Sequence, residues 1–282
     1  MSATIIMDRV LNIAHRGASS LAPENTLSAA RKGLAVGADM WELDVQLTAD
    51  GELIIIHDST LTRTSNVEDL FPQRRPWQVH EFTLDEIRKL DFGSWFMAQD
   101  PFGQIAAGAV TGEDIEGYVG EPAPTLEQAL SFTRKHKWLV NIEIKDLHLG
   151  PGKSLIVDRV IALVEELNMV DRVLVSSFNH NYLAQIAASY PHVVTGVLDT
   201  KPHLRPASLL RRLGARTYHP RRTFIRLADI AELKRQGFGV NVRTINNRKT
   251  MERLVRAGVS GIFTDFPQVL ASVLTSRGKA KA

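Results

Sequence analysis

Short apolar runs alternate with amphipathic stretches along almost the whole chain. Runs that are nearly continuous in apolar residues are typical of strands buried on both faces of a parallel sheet. Eight runs have this pattern, and we predict strands at Leu11–Ala14, Met40–Val45, Leu139–Ile144, Val173–Ser177, Val194–Leu198, Thr217–His219, Gly239–Val242 and Gly261–Thr264. The stretches between them are long enough for the helices that connect parallel strands.

Helix start and stop signals mark these connecting stretches. Thr125 and Gln128 have the spacing of a capping box, Pro267 suits a first helical turn, and Gly37 suits a helix end. The other predicted helices are Thr26–Val36, Ser154–Leu167, Asn181–Ser189, Pro206–Leu213, Leu227–Gln236 and Thr250–Ala257. Eight strand–helix units predict an α/β fold, the (β/α)8 TIM barrel. A doubly wound sheet is the alternative, but no glycine-rich phosphate loop follows the first strand.

One apolar run breaks the alternation of strands and helices. Leu53–Ile56 follows the second strand after a four-residue link that ends in Asp50-Gly51. So short a link cannot form a parallel crossover, and Asp-Gly is typical of a tight reversal. We therefore expect residues 45–56 to form a hairpin that returns His57 and Asp58 to the mouth of the barrel.

The stretch that follows the hairpin is too long for a simple loop between a strand and a helix. We interpret residues 59–124 as an insertion within a single domain that spans 1–282. A capping box predicts one short helix there, at Leu84–Leu90, and the glycine-rich part at 98–122 is expected to be irregular.

Composition narrows the class of protein. The 282 residues contain no cysteine, which excludes disulfides, thiol nucleophiles and zinc–thiolate sites. The N-terminus lacks the apolar core of a secretory signal, and no run approaches the roughly 20 apolar residues that span a bilayer. We therefore expect a cytoplasmic protein with no transmembrane segment.

The formal net charge of +3 is partly concentrated in one segment. Seven arginines lie between residues 205 and 226, a density that suits nucleic acid, anionic lipid or a phosphorylated substrate. A solvated helix face is the interpretation that we favour, and neither aromatic interleaving nor a recognition-helix pattern accompanies the arginines. We expect no nucleic-acid partner, and nothing in the pattern indicates an oligomeric state.

Polar side chains collect at the carboxyl ends of the predicted strands, where barrel enzymes carry their active sites. They are His15 and Arg16 at the first strand, Glu42 and Asp44 at the second, Glu143 and Lys145 at the third, Asn241 and Arg243 at the seventh, and Thr264 and Asp265 at the eighth. His57 reaches the same mouth through the hairpin. Because the strand interiors stay apolar, this end of the barrel is the predicted site.

Three carboxylates of this set have the arrangement of metal ligands. Glu42 and Asp44 are two residues apart on one strand and so face the same way, and Glu143 occupies a similar position on the third strand. Converging like charges are costly unless a cation lies between them. Oxygen ligands without cysteine favour a hard divalent ion, Mg²⁺ or Ca²⁺. Further candidate residues, of which the first also fits as a helix cap, are Asn25, Asp58 and Asp265.

Taken together, the motifs resemble those of the glycerophosphodiester phosphodiesterases, whose fold is a (β/α)8 barrel. The matching strings span roughly 11–270 in order, and they are Ala14-His-Arg-Gly17, Pro23-Glu-Asn-Thr26, Trp41-Glu-Leu-Asp-Val45, Asp50-Gly51, His57-Asp58, Pro124-Thr-Leu-Glu127, Asn141-Ile-Glu-Ile-Lys145, Ser176-Ser-Phe178 and Thr264-Asp-Phe-Pro267. The resemblance implies the following roles: an acid–base pair of His15 and His57, metal ligands Glu42, Asp44 and Glu143, and phosphate contacts from Arg16 and Lys145.

The resemblance also implies a reaction, the hydrolysis of a small-molecule glycerophosphodiester to glycerol 3-phosphate and an alcohol. Cations would neutralise the phosphate oxygens, one histidine would accept a proton from the nucleophile, and the other would protonate the leaving alkoxide. The nucleophile is either water or the neighbouring hydroxyl of the substrate, which would give a cyclic phosphate. Both routes, and either assignment of acid and base, fit these residues.

The chain departs from the usual family pattern after the seventh strand. Trp-Thr-Val-Asn is usual there, whereas this chain has Arg243-Thr-Ile-Asn246, and the usual Asp before the last strand is Ser260. The first change lies where the family contacts the non-phosphate part of the substrate. We expect Arg243 to favour a head group with a second negative charge or many hydroxyls over choline. Pairing of Arg243 with an acid such as Asp265 is the alternative.

Other functions on the same barrel are also considered. A lysophospholipase D would need an acyl-chain site, which the apolar residues of 92–105 could supply: Phe92, Trp95, Phe96, Met97 and Phe102. A catalytically inactive binding protein is expected to lack a histidine or a carboxylate, but all five are present. A metal-free phosphoinositide lyase also uses two histidines, but the three carboxylates argue against it.

Overall fold

The computed structural model describes residues 9–146 and 155–279, with side chains to 276. Its strands are β1 (Leu11–Ala14), β2 (Met40–Leu47), β3 (Leu53–Ile55), β4 (Leu139–Ile144), β5 (Val173–Ser177), β6 (Val194–Leu198), β7 (Thr217–His219), β8 (Gly239–Val242) and β9 (Gly261–Thr264). All except β3 pair in parallel, in the ring order β1, β2, β4, β5, β6, β7, β8, β9 and back to β1. The predicted TIM barrel is therefore confirmed.

Twelve α-helices lie in the described residues. They are α1 (Leu27–Ala35), α2 (Val67–Leu70), α3 (Leu84–Ile87), α4 (Ser94–Gln99), α5 (Gly112–Tyr118), α6 (Leu126–Lys135), α7 (Ile156–Glu166), α8 (His180–Ser189), α9 (Pro206–Arg212), α10 (Leu227–Arg235), α11 (Arg248–Arg256) and α12 (Pro267–Lys279). None of them is long and apolar enough to cross a membrane. The predicted start at Ser154 lies outside the described residues.

Several ends of the helices that connect the barrel strands differ from the predictions by one or two residues, for reasons of capping. The Thr26 hydroxyl accepts a hydrogen bond from the Ala29 amide, so Thr26 is the N-cap of α1 and not its first residue. The Asn247 side chain accepts from the Thr250 amide, so α11 begins before the predicted Thr250. Gly37 follows the C-cap of α1 with a φ of +78°, as expected of a helix-ending glycine.

The hairpin forms as predicted, but the insertion after it is more helical than predicted. β3 runs antiparallel to β2, with Val45 opposite Ile55. The capped helix at Leu84 ends at Ile87, and the insertion contains three further short helices, α2, α4 and α5. The expectation of an irregular stretch at 98–122 is wrong for α5, which opens with a capping box of Thr111 and Asp114. That signal is visible in the sequence.

The barrel interior is partly polar toward β7 and β8. The buried His219 accepts hydrogen bonds at Nε2 from Thr217 Oγ1 (2.8 Å) and Asn241 Nδ2 (3.1 Å). Gly196 makes room for this ring, since a Cβ there would lie 2.5 Å from its Cε1. Burial lowers the pKa of His219 to about 3, so its imidazole stays neutral.

Candidate active site

Three carboxylates from adjacent strands come together at the carboxyl end of the barrel. The register of β2 and β4 puts Asp44 opposite Glu143, and Glu42 lies two residues earlier on the same face. One oxygen from each lies within 4.8 Å of the others, and all three residues are buried. Burial and the charges of Asp44 and Glu143 raise the pKa of Glu42 well above its usual range. Such an all-oxygen cluster fits a hard divalent cation.

Two cationic side chains lie against this triad. Lys145 Nζ donates to Glu143 Oε1 at 2.7 Å and to Asp44 Oδ1 at 3.2 Å. Arg16 Nε lies 3.4 Å from Asp44 Oδ2. These cations hold the pKa of Asp44 well below its usual range despite its burial. The charges of the triad are thus partly balanced by the residues predicted to contact phosphate.

Asn25 has a different role from the helix cap considered from the sequence. Its Nδ2 donates to Asp44 Oδ2 at 2.9 Å, and its Oδ1 accepts from the Asp44 backbone amide at 3.2 Å. The cap of α1 is provided by Thr26. Asn25 therefore fixes the orientation of one carboxylate of the triad.

His15 follows β1 and is held by a carboxylate that follows β9. His15 Nδ1 donates to Asp265 Oδ1 at 2.7 Å. Asp265 also accepts from Ser19 Oγ (3.0 Å) and from Asn246 Nδ2 (2.6 Å). These bonds and His15 lower the pKa of Asp265 despite its burial. An ionised Asp265 fixes the tautomer with a proton on Nδ1, which leaves Nε2 for chemistry.

His57 has a similar partner, although it arrives through the hairpin. His57 Nδ1 lies 2.6 Å from Asp58 Oδ1. Gln46 of β2 anchors the backbone here, because its Nε2 donates to the carbonyls of Ile56 (2.8 Å) and Asp58 (2.7 Å). The bonds from His57 and Arg63 hold the pKa of Asp58 well below its usual range.

Arg63 links the His57–Asp58 pair to Glu24 and Arg16, and no sequence motif identified it. Its Nε donates to Asp58 Oδ2 at 2.6 Å, and its Nη1 and Nη2 donate to the two oxygens of Glu24 at 2.9 and 2.7 Å. Glu24 in turn accepts from Arg16 Nη1 at 2.8 Å. One guanidinium therefore orients the partner of His57 and the partner of Arg16. Only its spacing from His57, six residues later in the insertion, hints at this from the sequence.

These side chains surround one cavity of about 560 Å³ at the barrel mouth. Its lining includes His15, Arg16, Glu42, His57 and Glu143. On other sides it is lined by Phe178, Arg221, Arg222 and Arg243, together with smaller contributions from the strand ends. The structure thus brings both histidines and two triad carboxylates to one cavity. Asp44 and Lys145 are not in its lining but contact the lining residues Arg16 and Glu143.

Arg243 lies in the cavity wall and does not pair with Asp265. Its Nε donates to the His219 carbonyl at 2.9 Å, and its Nη2 donates to the Asp199 carbonyl at 2.8 Å. The guanidinium carbon lies 4.5 Å from the centre of the Phe178 ring. Since Asp265 is bound to His15, the pairing considered from the sequence is not formed.

The aromatic residues of 92–105 do not line this cavity. Phe92 is buried in a core formed by the hairpin and the insertion, and Phe96 is buried between the insertion and the segment around α1. The Trp95 indole donates to the Phe92 carbonyl. Phe102 packs edge-on against the ring of Phe266, 5.5 Å between centroids. The acyl-chain site that a lysophospholipase D would need is therefore not supported.

Known proteins of one family are similar to this chain over most of its length. A profile of the glycerophosphoryl diester phosphodiesterase family matches residues 15–269. A glycerophosphodiester phosphodiesterase of Caldanaerobacter subterraneus subsp. tengcongensis is 36% identical over 96% of this chain and 100% of its own length. One of Bacillus altitudinis is 34% identical over 90% of this chain and 94% of its own.

Solved structures are similar along the whole chain. A phosphodiesterase of Oleispira antarctica, in complex with the product sn-glycerol-3-phosphate, has a TM-score of 0.77 and 26% identity, covering 98% of this chain and 100% of the other. A glycerophosphodiester phosphodiesterase of Agrobacterium tumefaciens has a TM-score of 0.72 and 26% identity, covering 94% and 100%. The chain therefore belongs to the glycerophosphoryl diester phosphodiesterase family.

Proposed function

We propose that this enzyme hydrolyses glycerophosphodiesters to glycerol 3-phosphate and an alcohol, with a divalent metal ion and two histidines. One observation supports it above all: His15 and His57, each bound through Nδ1 to a carboxylate, line the same cavity as Glu42 and Glu143. The presence of sn-glycerol-3-phosphate in the related Oleispira structure supports the choice of substrate.

The substrate phosphate is proposed to lie between the triad and the two histidines. Glu42, Asp44 and Glu143 would hold Mg²⁺ or Ca²⁺, which when bound neutralises charge on the phosphate and on the transition state. Arg16 and Lys145 supply further positive charge, since both lie against the triad. Buried cations of this kind stabilise developing negative charge without reorganisation.

Proton transfer is assigned to the two histidines. One accepts the proton of the attacking hydroxyl at Nε2, as the new P–O bond forms. The other donates a proton from Nε2 to the alkoxide, as the bond to the leaving alcohol breaks. Asp265 and Asp58 stabilise whichever imidazole is protonated at that moment, as the carboxylate of a catalytic triad does.

The insertion at 59–124 is proposed to belong to the same catalytic domain as the barrel, in one domain of 1–282. It supplies Arg63, whose hydrogen bonds orient both Asp58, the partner of His57, and Glu24, the partner of Arg16. Removing it would therefore be expected to reduce activity as well as stability.

The proposal is tested with a panel of phosphodiesters, with and without a chelator. We expect glycerol 3-phosphate from glycerophosphoinositol or glycerophosphoglycerol, loss of the reaction after exhaustive chelation, and its return on adding Mg²⁺ or Ca²⁺. ³¹P NMR of the products distinguishes attack by water from attack by the substrate hydroxyl, because only the latter gives a cyclic phosphate. Full activity after chelation would contradict the metal assignment, and absence of glycerol 3-phosphate would contradict the function.

A further inference from the structure

One wall of the cavity carries three arginines without an acidic partner. Arg221 and Arg222 follow β7, and Arg243 follows β8. We call these three residues the arginine cluster. Within residues 9–146 and 155–276, none of them forms an ion pair with a carboxylate. Arg222 and Arg243 are partly buried, and burial lowers the pKa of Arg243 despite the attraction of Glu143, Glu42 and Asp199. An anion bound directly to these guanidinium groups would offset the cost of their burial.

The arginine cluster lies across the barrel from the triad. In the ring of eight strands, β7 is four places from β2, and β8 is four places from β4. β2 and β4 carry the triad, so the two sets of charges face each other over the same cavity. A substrate with its scissile phosphate at the triad would extend toward the cluster.

Arg243 is held in a fixed orientation toward this cavity. The carbonyls of His219 and Asp199 accept from its Nε and Nη2, and Phe178 packs against its face. Nη1 makes no hydrogen bond to a described residue. The backbone amide of Arg243 donates to the Pro220 carbonyl at 3.0 Å, which places Arg221 beside it. A guanidinium oriented in this way is suited to an anionic oxygen.

We infer that the arginine cluster binds a second anionic group of the substrate, and that the preferred substrates are glycerophosphodiesters whose alcohol carries a further phosphate. This inference rests on the proposed function of the same cavity. Choline, a cation, would meet positive charge at this wall, whereas a phosphate would form charge-assisted hydrogen bonds with the guanidinium groups.

The test compares glycerophosphoinositol 4-phosphate with glycerophosphoinositol, which differ only in one phosphate. We expect kcat/KM to be about tenfold higher for the phosphorylated substrate, a usual effect of one charge-assisted hydrogen bond. The ratio should fall toward one in the Arg221→Gln/Arg222→Gln double variant and in Arg243→Gln. Arg211→Gln is the matched control. Arg211 lies in the same basic segment, but its Nη1 donates to the side chain of Gln236, the residue after α10. This variant should keep the wild-type ratio.

Calorimetric binding of inositol 1,4-bisphosphate gives a second measurement that needs no hydrolysis. We expect binding to the wild type, and weaker binding to the double variant at equal salt concentration. Hydrolysis of both substrates at equal kcat/KM, or a ratio that the variants leave unchanged, would overturn the inference and leave the proposed function intact. If neither substrate is hydrolysed, the proposed function fails, and the calorimetric result alone decides whether the arginine cluster binds phosphate.

Discussion

The two histidine–carboxylate pairs are alike in chemistry and different in construction. His15 and Asp265 follow β1 and β9, whose ladder places Ala14 beside Thr264. His57 and Asp58 are adjacent in sequence and follow the hairpin strand β3, not a strand of the barrel. Hydrogen bonds from Gln46 and Arg63 hold them in place instead. The second pair is more exposed, with 32% of the His57 side chain accessible against 21% for His15. One pair is therefore positioned by strand pairing and the other by side-chain hydrogen bonds.

Replacing either histidine tests whether both constructions deliver the same chemistry. We expect kcat to fall by about 10²–10⁴-fold in His15→Ala and in His57→Ala, the usual contribution of a positioned acid or base. Both variants should fold, because neither ring is part of the apolar core. Steady-state kcat with a poor leaving group is the measurement, and a value near wild type in either variant would remove that histidine from the mechanism.

Gly17 lies two residues after His15, and Gly51 lies in the hairpin turn before His57. The two glycines form a matched pair, since both have a φ of +82°. A Cβ on Gly17 would lie 2.6 Å from the Ala29 backbone, whereas a Cβ on Gly51 would meet the flexible end of Arg159. We expect Gly17→Ala to lower the free energy of unfolding by about 3 kcal/mol and Gly51→Ala by about 1 kcal/mol. Urea denaturation measures both, and equal losses would show that the His15 loop adapts as easily as the hairpin turn.

Asp265→Asn and Asp58→Asn test the partners of the histidines. We expect kcat to fall by about 30-fold in each, as is usual when an orienting partner is removed. Asp265 is more deeply buried, so its variant should also lose about 2 kcal/mol of stability at pH 7.

The pH dependence gives the control for these two variants. Folding lowers both pKa values, so both carboxylates stabilise the protein above about pH 4 and lose that contribution as the pH falls. The difference in stability between wild type and each Asn variant should therefore shrink below pH 4. A difference that stays constant down to pH 3 would contradict the ion-pair interpretation.

Arg63→Met should have the smallest effect, a fall in kcat of about tenfold, because it removes orientation and no reacting group. Arg88→Met is the control, since Arg88 lies in the same insertion and its ion pair is with the exposed Asp85, away from the histidines. In a double-mutant cycle, Arg63→Met and Asp58→Asn should lose less together than the sum of their separate losses. Additive losses, or an unaltered pH–rate profile in Arg63→Met, would show that Arg63 does not act through Asp58.

The barrel and the strand-end residues were predictable because both follow from periodicity. Side chains two apart on a strand share a face, so Glu42 and Asp44 could be placed together before the structure was known. The capping boxes at Thr83 and Thr125 were found for the same reason, since each depends on residues three apart.

The residues that were not found depend on contacts between distant segments. Arg63 acts through Glu24, 39 residues earlier, and Gln46 acts on carbonyls beyond the hairpin turn. The role of Asn25 as a partner of Asp44 was missed because a local explanation, the helix cap, was available. Neither a spacing nor a propensity encodes such contacts, because they exist only after the barrel has closed.

The neutral His219 inside the barrel gives the fold itself a dependence on acidity. Unfolding would return the pKa of His219 from about 3 to 6.5. Between these two pH values the unfolded chain therefore binds a proton at His219 that the folded chain does not bind. As the pH falls from 6.5 toward 3, this residue alone removes about 1.4 kcal/mol of stability per pH unit, and above 6.5 it removes none. Acid would therefore destabilise the barrel itself, separately from any effect on the ionisable groups of the site.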